Sequence, residues 1–276
     1  NQELVVTKFA SLDTTNDAID KLKEHKDNHD DHQIGIAHTR WATHGGKTDT
    51  NAHPHTDTKK RIALVHNGVI ENANALREEL STHNITCVSE TDTEVIAQLI
   101  GLFLDLKHNL EQAVKMALQK LEGTWGLAII SKHEPDKIIA AKNGSPIVIG
   151  VASGRMFIAS EPAAFSGQTK EFISLENGEI AIIKSDGHSL DLSRLEQAPD
   201  QEILLSPDPY PHWTIKEIME QPEAISRALN YGGRILDDSR VKLGGLEQNK
   251  ELLIGIKHLV IAACGTSYHA ALYGAR

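Results

Sequence analysis

The spacing of apolar and polar residues divides the chain into regions of different period. Between Ile34 and Gly68 two short apolar runs, IGIAHTRW and RIALVHNG, each end in a polar cluster, and Ile34, Ile36 and His38 alternate with Gly35, Ala37 and Thr39. A period of two predicts a strand for each run. The polar insert ATHGGKTDTNAHPH between them carries Gly45, Gly46 and Pro54 and reads as a long loop. Two such strands deliver Arg40, Thr43, His44, Asn67 and Gly68 to one rim, with Gly68 ending the second. Upstream, ELVVTKF reads as a strand and DAIDKLKEH as a helix capped by Asn16, with Ile19 and Leu22 on one face. The charged KDNHDDHQ that follows is expected to be a solvated loop.

Beyond Gly68 the period lengthens. Asn72 is placed to cap ANALREELSTH, whose Leu76 and Leu80 lie four apart, and ITCVS reads as a short strand. SETDTEVIAQLIGLFLDLK predicts an apolar helix beginning near Asp92. NLEQAVKMALQKLEG predicts another, with Leu110, Val114, Ala117, Leu118 and Leu121 on its buried stripe and Gly123 as its stop. From Thr124 the period returns to that of strands: TWGLAIISK, KIIAAKNG, IVIGVAS, RMFIASE, EFISLE and GEIAIIKSDG, with Asn177-Gly178 expected as a hairpin turn. Strands, two helices and then many strands predict two sheets stacked face to face with helices outside. Pro199, Pro207, Pro209 and Pro211 disfavour regular structure, so residues 198–212 are expected to link a domain at 1–197 to the beginning of another at 213–276. In that second part TIKEIMEQPEAISRALNYGG and NKELLIGI read as helices, and KHLVIAACGTSYHAALYGAR as a strand, a turn and a helix start.

Composition narrows the function classes. An apolar fraction of 40% over 276 residues supports a substantial core. The formal charge of -10, with no basic block, argues against a nucleic-acid partner. No apolar run reaches the ~18 residues that a membrane helix needs, and no charged-then-apolar leader opens the chain, so a cytoplasmic protein with no membrane partner is expected. Cys87 and Cys264 form neither a disulfide framework nor a CxxC pair. The fifteen histidines fit no HExxH or Cys/His grid, so they are assigned to loop packing and hydrogen bonding, and no metal or cofactor is expected.

Arg40, Asn67, Gly68 and Asp92 are the set that carries chemistry. A guanidinium fork suits an α-carboxylate and a carboxylate suits an α-ammonium, while a side-chain amide beside a backbone N–H suits an oxygen that gains charge. Together they fit the head and tail of glutamine. On spacing alone, a strand-end Arg is more often a surface ion pair and a helix-start Asp more often a cap.

Four motifs in order, AHTRWATHG, NAHPH, VHNGVIEN and SETDTEVIA, resemble the glutaminase domain of the glutamine–fructose-6-phosphate aminotransferases, which are class II amidotransferases. The resemblance implies an α+β fold of the N-terminal-nucleophile hydrolase type: a four-layer αββα sandwich of two antiparallel sheets, followed by the start of an α/β sugar-isomerase domain. It implies that Arg40 holds the glutamine α-carboxylate with Thr43 and His44 on the same loop, that Asp92 holds the ammonium, and that Asn67 and Gly68 form the oxyanion hole. Trp41 falls at the family's ammonia-channel gate. ACGTSYHA is similar to the opening of the isomerase domain, with Thr266 and Ser267 as sugar-phosphate ligands at a helix start.

The implied substrates are L-glutamine and fructose-6-phosphate and the products glucosamine-6-phosphate and L-glutamate. The implied assembly is a homodimer or larger homo-oligomer through the isomerase domain. One departure matters: the family's nucleophile is an N-terminal Cys, whereas position 1 is Asn1, and neither Cys87 nor Cys264 lies in that motif. The chain is therefore expected to be truncated at its start and, by itself, inactive. Two alternatives stand beside this reading. One is an amidotransferase of the amidophosphoribosyltransferase or asparagine synthetase type, which ACGTS argues against; the other is a non-catalytic glutamine-binding module.

Overall fold

The computed structural model describes residues 3–11, 17–40, 45–198, 207–229, 233–238, 240–241 and 250–275. The chain divides into two compact units, Asn1–Ile203 and Leu204–Arg276, which are taken separately below.

In the first unit, helix α1 spans Asp17–Glu24; the expected cap Asn16 lies outside the described residues. Strands β1 (His55–Thr56), β2 (Ile62–Ile70), β3 (Gly123–Ser131), β4 (Glu134–Asn143), β8 (Ile180–Lys184) and β9 (Gly187–His188) make one antiparallel sheet in the order β1-β2-β3-β4-β8-β9. Strands β5 (Val148–Ala152), β6 (Arg155–Ala159), β7 (Glu171–Ser174) and β10 (Glu196–Gln197) make a second, also antiparallel, in the order β10-β7-β5-β6. Alternation fixes which side chains go where. Ile139 and Ala141 of β4 join the core beneath the helices, whereas Ala140 joins Ile149, Ile173, Ala181 and Ile183 between the two sheets. This is the stacked pair of antiparallel sheets that the sequence predicts. The far face of the smaller sheet is covered by a 3-10 turn, Pro162–Phe165, whose Phe165 packs with Val148 and Phe172.

Helices α2 (Ala73–Thr82), α3 (Asp92–Asp105) and α4 (Leu110–Leu118) cover the other face of the larger sheet. Every residue of α3 from Asp92 to Phe103 is buried, as expected of a helix apolar on all sides. Asn109 caps α4 with a reciprocal bond to Gln112. Asn72 stands at the cap position of α2, but its side chain serves the neighbouring loop instead: Nδ2 donates to the Lys120 carbonyl at 2.8 Å and Oδ1 accepts from Glu122 N–H at 3.0 Å.

Several expected strands are not formed among the described residues. Residues 3–11, 33–40 and 85–88 run without a ladder. The first of these is held by a side chain, Lys8, whose ammonium donates to the carbonyls of Thr50 and Ala52 at 3.1 and 3.0 Å. Alternating pattern is necessary for a half-buried strand, but it does not supply a neighbour to pair with. Gly68 does not end its strand: β2 continues to Ile70, with Gly68 opposite Trp125. The Asn177-Gly178 turn makes no hairpin, because it carries the chain from β7 in one sheet to β8 in the other. It is tied to the β4 end by Gly178 N–H to Lys142 carbonyl, 2.8 Å, and by Gly144 N–H to Asn177 Oδ1, 2.9 Å.

In the second unit α5 spans Trp213–Ala228 and runs through Pro222, a short hairpin pairs Ile235–Asp237 with Arg240–Val241, and α6 and α7 span Lys250–Ile254 and Gly265–Gly274. The expected strand before α7 is not formed, since residues 256–264 pair with nothing among the described residues. Pro199 and the rest of residues 199–206 lie outside the described residues, as does Asn249.

Leu99 is fully buried in the shared core of α3 and the larger sheet. Leu99→Ala is expected to destabilise the first unit by about 3 kcal/mol, read as a shift in the urea unfolding midpoint.

Candidate functional site

The site is organised by the first turn of α3. Thr91 caps the helix by accepting from Glu94 N–H at 3.4 Å, and an acidic first turn suits the positive end of the helix dipole. Asp92, buried at 6% exposure, turns its Oδ2 to the backbone N–H of Ile70 at 2.8 Å. In the β2–β3 register, Glu71 N–H bonds to the Glu122 carbonyl. In an antiparallel ladder only alternate residues bond to a given neighbour, so Ile70 belongs to the set that faces the other edge, and Gly68 belongs to it as well. Asp92 therefore meets β2 two residues beyond Gly68.

Gly68 itself has a φ of 135°, and a Cβ there would lie 2.2 Å from the Thr124 carbonyl oxygen. Only glycine fits. Asn67 precedes it, exposed at the end of the sheet, and its Oδ1 lies 2.8 Å from His38 Nε2. The segment carrying His38 is not a strand, yet it still brings Arg40 close: the guanidinium donates to the Gly46 carbonyl at 3.4 Å, and its charge adds to burial, the larger cause, in lowering the pKa of His38, His53 and His55. Asn51 pins the same loop, with Nδ2 bonding both Gly46 O and Glu90 Oε2 at 3.0 and 2.9 Å. Arg40, Asn67, Gly68 and Asp92 thus share one end of the larger sheet. Trp41, Thr43 and His44 lie outside the described residues. Thr266 and Ser267 fall in the first turn of α7, in the second unit, and are exposed.

The histidines that the sequence reading assigns to loop packing and hydrogen bonding form a connected set. His38 Nδ1 meets His53 Nδ1 at 2.8 Å, His53 Nε2 meets Thr93 Oγ1 at 3.0 Å, and the same hydroxyl meets His66 Nδ1 at 3.0 Å. His66 Nε2 reaches the Thr124 carbonyl at 3.2 Å. A second, shorter line joins His55 to Thr91 and Thr91 to Ser89, at 3.0 and 2.9 Å. Burial is the largest cause that lowers the pKa of His38, His53, His55 and His66; neighbouring Asp92 opposes it at His66, and Glu94 opposes it at His55. Among the described residues no cluster of His, Cys, Asp and Glu is arranged to hold a metal ion. The signal in the sequence was spacing: His38 alternates in step with Ile34 and Ile36, and His53 and His55 flank Pro54.

Cys87 is a poor nucleophile here, because burial, with Glu94 adding to it, pushes its thiol up to about 11. A cleft of about 610 Å3 between the N-terminal segment and the loop after Ala52 is lined by Leu4, Phe9, His25, Pro54 and Lys60 and includes none of the candidate residues. No helix among the described residues is long and apolar enough to cross a membrane.

Residues 38–167 match the family model of a glutamine amidotransferase domain. The chain is 40% identical over 253 residues to the isomerizing glutamine–fructose-6-phosphate aminotransferase of Chlorobaculum tepidum, covering 87% of this chain and 41% of that protein. The corresponding aminotransferase of Idiomarina loihiensis is 41% identical over 264 residues, covering 91% and 43%. The chain thus spans about two fifths of the length of these curated relatives. Among solved structures, glutamine phosphoribosylpyrophosphate amidotransferase from B. subtilis aligns with a TM-score of 0.47 and 27% identity over 59% of this chain and 34% of that one.

The histidines set a pH dependence. His55 is pushed down to about 4, whereas an unfolded histidine titrates near 6.5. Between these values the unfolded chain binds more protons than the folded one, so stability is full above about pH 6.5 and falls as the pH drops toward 4. For His55 alone the loss is roughly 3 kcal/mol. The thermal midpoint is expected to fall between pH 7 and about pH 5.5, above the ordinary carboxylate values of about 4, and His55→Gln should shrink that fall. A midpoint flat over this range would contradict the burial of neutral histidines.

Proposed function

We propose that the chain is a glutamine amidotransferase whose first unit, which carries the match to that domain over residues 38–167, binds L-glutamine at the Arg40, Asn67, Gly68 and Asp92 end of the larger sheet and promotes hydrolysis of the side-chain amide. The observation that carries this reading is the adjacency of Asn67, Gly68 and Asp92: an exposed amide, a backbone N–H turned from the ladder, and a buried carboxylate just beyond.

The chemistry follows from these groups. Arg40 pairs with the α-carboxylate as a fork. Asp92 spends one oxygen on Ile70 N–H and keeps the other for the α-ammonium. A thiolate attacking the amide carbon forms a C–S bond and drives the C=O electron pair onto oxygen. The Asn67 and Gly68 N–H groups stabilise that charge better than they do the neutral carbonyl. Collapse of the adduct breaks the C–N bond, the nitrogen takes a proton and leaves as ammonia, and water then cleaves the thioester to give L-glutamate. The nucleophile assigned by the resemblance is an N-terminal Cys, a role that neither Cys87 nor Cys264 takes. Thr43 and His44 join the glutamine loop and Trp41 the ammonia gate on the strength of their motif alone.

For the full-length protein we propose the reaction named for its relatives: ammonia from this site passes to fructose-6-phosphate and yields glucosamine-6-phosphate. In that reading residues 1–197 belong to the glutaminase domain, 198–212 to a linker and 213–276 to the start of the isomerase domain. Thr266 and Ser267, at the N-terminal turn of α7, present hydroxyls to the sugar phosphate. A cytoplasmic homo-oligomer fits this role. The relatives' names favour it over a phosphoribosyl or asparagine-forming enzyme or a non-catalytic module.

Asn67→Ala in the full-length protein is expected to lower kcat for glutamine hydrolysis by about 100- to 1000-fold with a small change in KM. Arg40→Ala should instead raise KM, because it removes binding common to ground and transition states. Unchanged kcat in the Asn67 variant would refute the oxyanion assignment.

A further inference from the structure

The line of histidines behind Asn67 obeys a proton count. It contains five contacts in series: Thr124 O to His66, His66 to Thr93, Thr93 to His53, His53 to His38, and His38 to Asn67. Each contact needs one hydrogen. When neutral, the three rings carry one N–H each and Thr93 one O–H, which is one hydrogen too few if both ends accept. The Thr124 end is a carbonyl and always accepts. Starting there, His66 donates from Nε2 and accepts at Nδ1 from Thr93, Thr93 accepts from His53 Nε2–H, and His53 Nδ1 accepts from His38 Nδ1–H. A neutral His38 then has a bare Nε2, and the fifth hydrogen has to come from the Asn67 amide.

Asn67 therefore has two orientations. In the neutral line its Nδ2–H is turned inward to His38 and its Oδ1 faces the open site, where it repels an oxyanion. With one further proton on the line, His38 donates from Nε2 to Asn67 Oδ1, the arrangement in the structure, and Nδ2–H faces outward as an oxyanion donor. We propose that His38 is a positioning residue that selects the edge of Asn67 facing the substrate, and that the proton content of the line from His38 to Thr124 makes the selection. The proposal rests on the oxyanion reading of Asn67.

The surroundings agree with a line that is neutral at rest and gains its proton reversibly. Burial opposes charge on His38, His53 and His66, as do Arg40 near His38 and His53, and His55 near His53. In the other direction, Asp92 at the start of α3 favours charge on His66, and the Asn67 side chain and His66 backbone favour it on His38. Thr93 is the one residue of α3 that bonds into the line, and it is 2% exposed. An oxyanion forming beside Asn67 adds a negative charge at the open end and favours the charged line further.

The test uses the chain itself, labelled with 15N, with the histidine ring nitrogens and the Asn67 amide followed from pH 8 to pH 5. At pH 8 His53 and His66 are expected as Nε2–H tautomers and His38 as Nδ1–H. As the pH falls, the Asn67 amide signals should shift with the same midpoint as the His38 ring, below the ordinary histidine value of about 6.5. In His38→Gln the amide signals should no longer shift. A His38 ring with its proton on Nε2 at pH 8, or an Asn67 amide unmoved while His38 titrates, overturns the proposal.

Kinetics of the full-length protein give an independent arm. His38→Ala should lower kcat for glutamine about tenfold or more while KM stays within about twofold. His38→Gln, whose own amide can donate to Asn67 Oδ1, should recover much of that loss. A His38→Ala variant with unchanged kcat also overturns the proposal. If the coupled titration is seen but Asn67→Ala leaves kcat intact, the oxyanion reading fails instead, so the two failures are separable.

Discussion

The first turn of α3 is the constraint on which the site depends. Four consecutive residues, Thr91 to Glu94, are buried, and between them they bond to three other pieces of chain. Thr91 meets His55, Asp92 meets Ile70 N–H, Thr93 meets His53 and His66, and Glu94 accepts from the N–H groups of Val88 and Ser89. Arg77 closes the turn from α2, donating to the carbonyls of Ser89 and Thr91. A polar helix end buried beneath an apolar helix body is costly unless every group finds a partner. Satisfying it draws the 51–58 loop, β2 and the 85–91 segment to one point, so the placing of the candidate residues is a by-product of capping a helix.

The partners chosen for the histidines follow the same logic. A buried histidine bonded to a carboxylate would be drawn toward its charged form; here His53, His55 and His66 bond directly to hydroxyls, a carbonyl and, for His53, the His38 ring. Hydroxyls accept or donate on demand, which lets neutral rings stay fully bonded in a core that would penalise charge. Glu94 is the contrasting case. Burial works against its ionisation too, yet Ser89, Val88 and Gln98 all donate to it, and the balance holds its carboxyl below the usual range. Within one turn, burial yields neutral bases and an ionised acid, decided by who donates.

Much of this was legible in the sequence. The helices were readable because long apolar stretches with a polar first turn have few other stable forms, as in TDTEVIAQLIGLFLD, and the strands after Gly123 because their alternation has neighbours to pair with. The segments carrying ELVVTKF, IGIAHTRW and ITCVS alternate equally well and still form no strand, since pairing is a property of the neighbourhood and not of the segment. The proposed set Arg40, Asn67, Gly68 and Asp92 comes from matching residue types to the two ends of glutamine, and the fold brings its members to one end of the larger sheet. The residues behind it were not found that way, because His38, His53, His66 and Thr93 are spread from position 38 to position 93 and touch only in the fold. No local period links them.

Gly68 stands where these constraints meet. The Thr124 carbonyl that would stand 2.2 Å from a Cβ at Gly68 is the same oxygen that ends the histidine line by accepting from His66. With that carbonyl turned to His66, Val69 N–H bonds to the Thr124 hydroxyl at 3.3 Å, and Gly68 takes up the positive φ that the displaced ladder leaves. One end of the line therefore bends the backbone at Gly68 while the other holds the side chain of Asn67. Both prospective donors to the oxyanion are set by a single chain of hydrogen bonds through the core, so a disturbance at buried Thr93, which touches neither donor, is transmitted to both.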